Sequence, residues 1–361
     1  MSVLAASDYA YGNTRLRSRK GELLTAADFE RLLGKDAEGL VGALAETAYA
    51  PDVEAALTRP EGPSRVHAVV HHHLGRVLRE LRSFYQGRAR ETVDLLLARF
   101  DVANLVTLLR AKAHGTVSPE EAVLALAPVG WPDEALAREI LRQHELAGAV
   151  ELIARWLPDA EQGRALWRAF AEYERTDDLA VLEHALVADH VARVTAAAAD
   201  GADRSMLLDF LRREVDEQNV LVALRLRRAA ERARAAADSR PQMLPGGAVA
   251  RESLESAARL PDPDTAAEAI VELGRPEWRA PLERWAAAGD LVALAHDLET
   301  VRASDATRLF AAGDPLGIDV PLAYTVAKSI EARNLRVLAA GTTDGRDLDE
   351  VRADLVLPER T

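Results

Sequence analysis

Phe100-Asp-Val-Ala-Asn-Leu-Val-Thr-Leu-Leu-Arg110 decides the fold of this chain, because its pattern occurs three times. Glu214-Val-Asp-Glu-Gln-Asn-Val-Leu-Val-Ala-Leu-Arg225 is the second copy and Ile330-Glu-Ala-Arg-Asn-Leu-Arg-Val-Leu338 the third. Each copy has an acid, then Asn three residues on, then apolar residues at helical spacing. The acids are Asp101, Asp216 and Glu331, and the asparagines are Asn104, Asn219 and Asn334. The steps from 101 to 216 and from 216 to 331 are both 115 residues. A repeat of that period predicts three versions of one helical unit. Their expected bounds are 1–117, 118–238 and 239–361, the last including an acidic C-terminal tail.

Composition agrees with helices. The chain has 361 residues, beyond the roughly 250–300 at which one core stops growing. Apolar residues make up 48% and aromatics only 5%. Ala, Leu, Arg and Glu dominate, and these lose little on entering a helix. No stretch alternates apolar and polar residues as a half-buried strand would. The class expected is all-α.

Outward from the motif, each unit reads as several short helices followed by two long ones. In the first, Thr25 with Asp28 looks like a capping box opening a helix over 26–33. Long helices are expected over 64–85, with Ser64 as N-cap, and over 88–114, closed by Gly115. Ser118-Pro-Glu-Glu opens the second unit. Its long helices are expected over 178–199 and from Gly201 to about 238, before a Pro- and Gly-rich linker over 239–247. The third has long helices over 290–310 and 320–340, then a short one over 347–355.

The net charge of −13 argues against general nucleic-acid binding. Without cysteine, disulfides and thiolate metal sites are excluded. Residues 1–11 include Asp8 and lack the apolar run of a secretory signal. No stretch approaches the roughly 20 apolar residues that span a bilayer.

Candidate chemistry is sparse. His67, His71, His72 and His73 form one cluster, and His67 and His71 are spaced i,i+4. Two helical imidazoles leave zinc short of ligands, so a polar face or packed imidazoles is the preferred reading. No His-Glu-x-x-His, nucleophile elbow or phosphate loop is present. The five tryptophans lie in the second and third units and read as core. Neither a cofactor nor a catalytic residue is expected. Asn recurs mid-helix although it is a mediocre helix former. Acid and Asn at i,i+3 share a face, and each amide is expected to satisfy a buried backbone group. Two basic clusters stand out on an acidic chain: Arg15, Arg17, Arg19 and Lys20, and Arg225, Arg227, Arg228, Arg232 and Arg234. Each is either a solvated helix end facing the macrodipole or a docking patch for an acidic partner.

The opening Tyr9-Ala-Tyr-Gly-Asn-Thr-Arg-Leu-Arg-Ser-Arg-Lys-Gly-Glu-Leu-Leu24 resembles the N-terminus of the C-subunit family of bacterial and archaeal V/A-type ATPases, counterparts of the d subunit of eukaryotic V-ATPases. The three motif copies match the same family, so the resemblance spans essentially the whole chain. The third copy departs from it, with Glu331 in place of Asp and Arg336 where the others carry Val106 and Leu221. The resemblance implies three pseudo-equivalent helical units around a pseudo-threefold axis, forming a funnel. It implies a non-catalytic rotor spacer on the cytoplasmic face of the membrane. One side would meet the ring of proteolipid c subunits and the other the central axle of the D and F subunits. Torque would pass through it between proton or sodium movement and ATP synthesis or hydrolysis. A helical scaffold without a rotary role is the alternative, although repeats of that kind are shorter than 115 residues.

Overall fold

The computed structural model describes residues 9–157, 159–232, 243–343 and 345–358, with backbone only over 229–232. All regular structure among them is helical. The chain divides into two compact units, Met1–Ile153 with Ala303–Thr361, and Ala154–Arg302. No helix among the described residues is long and apolar enough to cross a membrane.

The first unit opens with α1 (Ala10–Ser18), a 3-10 turn (Arg19–Glu22), α2 (Ala26–Leu32), α3 (Ala37–Leu44) and α4 (Ala50–Ala56). The long α5 (Pro63–Ser83) and α6 (Gly87–His114) follow, then α7 (Pro119–Ala125), α8 (Glu134–Arg142) and α9 (Leu146–Trp156). The second unit contains α10 (Ala160–Thr176), α11 (Ala180–Ala198), α12 (Ala202–Arg232), α13 (Arg251–Ala258), α14 (Pro263–Glu272) and α15 (Arg279–Ala288). The chain returns to the first unit along α16 (Leu291–Ala312), and α17 (Asp319–Gly341) and α18 (Leu348–Ala353) complete it.

Local signals explain most boundaries. Thr25 and Asp28 form a reciprocal capping box at α2, as Ser118 and Glu121 do at α7. Gly115, at φ 62°, ends α6 in the left-handed conformation that glycine adopts without steric cost. The start of α5 differs from expectation. Gly62 holds the cap position and Pro63 the first helical one, which places Ser64 inside the first turn. Proline's fixed φ suits that position, so it displaces the serine. For α12, the expected residues beyond Arg232 lie outside the described ones.

Helix α17 is the core of the first unit. It is buried on nearly every side, from Val320, Leu322 and Tyr324 to Leu335 and Leu338. Its main neighbour is α5, and it also packs against α1 and α18. Each large apolar side chain so buried stabilises the fold by roughly 1.5–3 kcal/mol. In the second unit Val220 and Leu224 of α12 pack with Leu254, Ile270, Trp278, Leu282 and Leu294.

Not every tryptophan is core. Trp278 and Trp285 are buried and Trp131 is half-buried. Trp156 and Trp167 are 57% and 40% exposed, so the reading of all five as packing residues is corrected for these two. They fall on the outer faces of helices whose inner faces are filled by Val150 and Ile153, and by Leu166 and Phe170.

Candidate functional site

The three asparagines do one thing. Asn104 Nδ2 donates to Ala127 O at 2.8 Å, and Ala127 N donates back to Asn104 Oδ1 at 2.8 Å. Asn219 holds Leu244 in the same way, at 2.9 and 2.7 Å. Asn334 holds Val356, at 2.8 and 2.9 Å. Each amide engages the backbone of one residue, accepting from its N–H and donating to its C=O. The segments held are 22 to 25 residues downstream and lie outside the regular helices, where no helical partner serves that residue. All three asparagines are at most 4% exposed, so both bonds form where water cannot replace them.

The acids extend the clasp in the first two copies. Asp101 Oδ1 accepts from Trp131 N at 3.0 Å, and Asp216 accepts from Ala248 N and Val249 N at 3.2 and 3.1 Å. A glycine precedes each donor segment. A Cβ on Gly247 would stand 2.2 Å from Asp216 Oδ1, and one on Gly130 would stand 3.3 Å from Asp101 Oδ1. Glycine lets the carboxylate approach the backbone. Burial pushes the Asp216 carboxyl above its ordinary value, while the two N–H groups and Arg275 pull the other way.

The third copy departs here, as its Glu in place of Asp hinted. Glu331 reaches the beginning of the chain, accepting from Leu24 N at 2.7 Å and from the Tyr49 hydroxyl at 2.6 Å. Lys328 Nζ donates to the same carboxylate at 2.6 Å and lies 3.1 Å from His73 Nε2. His73 Nδ1 donates to Asp52 Oδ2 at 2.9 Å, and Arg76 closes on Asp52 at 2.6 Å. The Tyr49 and His73 rings stack at 3.5 Å. Arg336, the other departure, donates to Leu124 O at 3.3 Å.

Tyr49, Asp52, His73, Lys328 and Glu331 are all at most 4% exposed. Burial lowers the His73 pKa and raises that of Tyr49. Burial also opposes the Asp52 charge, but the His73 and Arg76 hydrogen bonds outweigh it and hold the carboxyl below its ordinary range. The network ties α4, α5 and α17 together. It combines acids, an imidazole and an amine, yet each is held by a named neighbour and the group is sealed from solvent, so it fastens elements and presents nothing to a substrate. Sequence reading missed it. The one available signal was the i,i+3 pair of Lys328 and Glu331.

His71, of the same cluster, is also engaged. His71 Nδ1 lies 3.0 Å from Leu126 O, and Nε2 lies 3.1 Å from Glu134. Both ring nitrogens are therefore directed at protein partners.

The N-terminal string is explained residue by residue. A Cβ on Gly12 would overlap the Tyr85 ring at 2.4 Å. Asn13 Oδ1 accepts from the Tyr85 hydroxyl at 2.7 Å, while its Nδ2 donates to Pro315 O and Gly317 O. The string thus locks α1 to the end of α5 and to the loop before α17.

The basic clusters separate into residues fastened within the fold and exposed ones. Arg19 pairs with Glu80. Arg227 donates to Ala258 O, Leu260 O and Pro261 O, and sits over the Trp285 ring. Both are fastened within their own units. Arg15, Arg17, Lys20, Arg225 and Arg228 are exposed. The Arg232 side chain and Arg234 lie outside the described residues. A shallow groove of about 250 Å³ runs along α14 and α15, lined by Asp264, Glu268, Arg279 and Glu283 among others.

Comparison with known proteins agrees with this geometry. The ATP synthase (C/AC39) subunit family matches residues 12–353. The C subunit of the V-type ATP synthase of Thermus thermophilus is 33% identical over 98% of this chain and 100% of its own length. The C subunits of the A-type ATP synthases of Haloferax volcanii and Halorubrum lacusprofundi are 28% and 27% identical, over 99% of this chain and their full lengths. On the family match over residues 12–353 and this full-length likeness, the chain belongs to the C/AC39 subunit family of V/A-type ATP synthases.

Proposed function

We propose that this chain is a non-catalytic central-rotor spacer of a V/A-type rotary ATPase or ATP synthase. It links the axle of the D and F subunits to the membrane ring of c subunits on the cytoplasmic face. It carries torque between ion movement and ATP synthesis or hydrolysis. The observation that carries this reading is the likeness to ATP synthase C subunits along their whole length. The fastening described above supports it. A torque carrier must not let its long helices slide, and each motif helix is held to a distant segment by a two-bond amide clasp. In this proposal the three motif units surround a pseudo-threefold axis as a funnel, with bounds near 1–117, 118–238 and 239–361.

The test is affinity purification of the tagged chain from detergent-solubilised membranes of its own host. Recovery of axle and c-ring subunits in fixed ratio is the expected result. Recovery of the chain alone, or with catalytic subunits but neither axle nor ring, would overturn the spacer role and favour a scaffold.

A further inference from the structure

Helix α1 has two faces. Gly12, Asn13 and Leu16 point into the first unit. Tyr11, Thr14, Arg15, Arg17 and Ser18 are exposed. Tyr11 is 62% exposed, and Arg15 donates to its hydroxyl at 2.8 Å. The Arg15 guanidinium lies 4.7 Å from the Phe84 ring centroid and 5.6 Å from that of Tyr11. Arg19 lies over the same Phe84 ring at 5.1 Å, with its charge met by Glu80. Among the described residues no carboxylate pairs with Arg15, Arg17 or Lys20, whereas most arginines of the chain have one. Beside α1 runs the loop over 313–317, which Asn13 and Arg17 hold by its carbonyls. That loop carries Leu316, 51% exposed, and the carboxylate of its exposed Asp314 accepts from Leu316 N at 2.8 Å.

We propose that this surface, formed by Tyr11, Arg15, Arg17, Lys20 and Leu316, docks an acidic protein surface of an adjoining member of the same complex. The proposal deepens the spacer reading and rests on it. Three features point to a carboxylate-bearing occupant. Arg15 is preorganised by two rings and a hydroxyl, so little side-chain freedom remains to be lost on pairing. Arg15 and Arg19 share one ring, and an incoming carboxylate relieves the repulsion between their charges. Tyr11 and Leu316 supply apolar area beside the cations, the mixture found at protein interfaces. An anionic membrane is the poorer occupant. Three cations attract it by only about 1 kcal/mol each, short of the roughly 4–8 basic residues of a lipid-binding cluster.

The experiment uses the full chain and an ATP synthase complex stripped of this component. Binding of wild type and of Arg15→Glu with Arg17→Glu is measured at about 0.1 M and about 0.5 M salt. The reversal is expected to weaken binding by roughly tenfold or more at low salt, with the gap closing at high salt. Arg175→Glu, an equal change per site on α10, is expected to have little effect. If the reversal lowers the melting temperature, Arg15→Gln with Arg17→Gln replaces it, with a smaller loss of the same salt dependence. Equal binding by wild type and both substituted forms overturns the surface, as does an equal loss from Arg175→Glu. Wild-type binding to phosphatidylglycerol-rich vesicles that the reversal abolishes overturns it in favour of lipid. Failure of wild type to bind the stripped complex overturns the spacer reading itself, and this surface with it.

Discussion

Replacing Asn104 with leucine tests whether the repeated amide is a fastening or a binding group. The substitution removes both bonds to Ala127 and leaves its buried N–H without a partner, while its C=O keeps the bond from Val129 N. The orphaned N–H costs about 1–3 kcal/mol and the lost bond to the C=O about 1 kcal/mol more. The apolar side chain returns about 1–2 kcal/mol if it fits, so the net loss is roughly 1–2 kcal/mol. For a unit of about two hundred residues, that corresponds to a fall of roughly 2–8 °C in melting temperature. Differential scanning calorimetry should resolve it. Asn334→Leu should lower the same transition, and Asn219→Leu the transition of the unit that contains it. Asn104→Asp sharpens the test. Its carboxylate still accepts from Ala127 N but faces Ala127 O without a proton to give. The protonated acid restores that donor, so the folded state raises the pKa above the unfolded value of about 3.9. Stability is then regained as pH falls and lost as it rises through the raised value. Unchanged melting of Asn104→Leu, with lost association to the complex, would refute the structural reading.

Three further outcomes follow from the geometry. Gly247→Ala should destabilise the second unit by about 2 kcal/mol or more, because a Cβ there meets Asp216 at 2.2 Å, whereas Gly130→Ala, at 3.3 Å from Asp101, should cost less; urea unfolding compares them. Lys328→Met should cost about 3–5 kcal/mol by leaving Glu331 buried without its cation, and adding Glu331→Gln should recover part of the loss; thermal unfolding of the single and double variants showing no coupling would count against the pair. Burial lowers the His73 pKa, so the unfolded state takes up the proton first as pH falls, and stability declines below about 6.5. The depressed Asp52 adds a second loss below about 4. Melting temperature should therefore fall between about pH 7.5 and about pH 5.5, and fall less in His73→Gln; a flat profile in wild type would refute the assignment.

The helices and the motif were legible because period and capping are local. Thr25 with Asp28, Ser118 with Pro119, and Gly115 each announce a boundary within four residues. The function of the asparagines was legible in kind, since a polar amide on an apolar helix face must find a buried partner. The identity of the partner was not, because Ala127, Leu244 and Val356 offer only backbone, and backbone has no sequence signature. Glu331 was harder still. Its partners Leu24 and Tyr49 lie about three hundred residues away, and only packing brings them together. Arg19 and Arg227 looked like their surface neighbours, since a basic run does not reveal which members reach a carboxylate or a carbonyl. Trp156 and Trp167 were misread because residue type, without helix phase, does not fix the buried face.

The borrowing by the third motif copy has a consequence for biosynthesis. Leu24 and Tyr49 leave the ribosome long before Glu331 and Lys328 are made. The helices that hold them therefore wait, with their inner faces uncovered, while residues 154–302 are synthesised. Those residues form a continuous unit and can complete their core first. The first unit can close only when α17 emerges, after residues 154–302. A nascent chain halted before Lys328 should thus be protease-resistant over 159–232 and 243–302 and sensitive over 9–153. In that order of events, a helix made late determines when the first ones become stable.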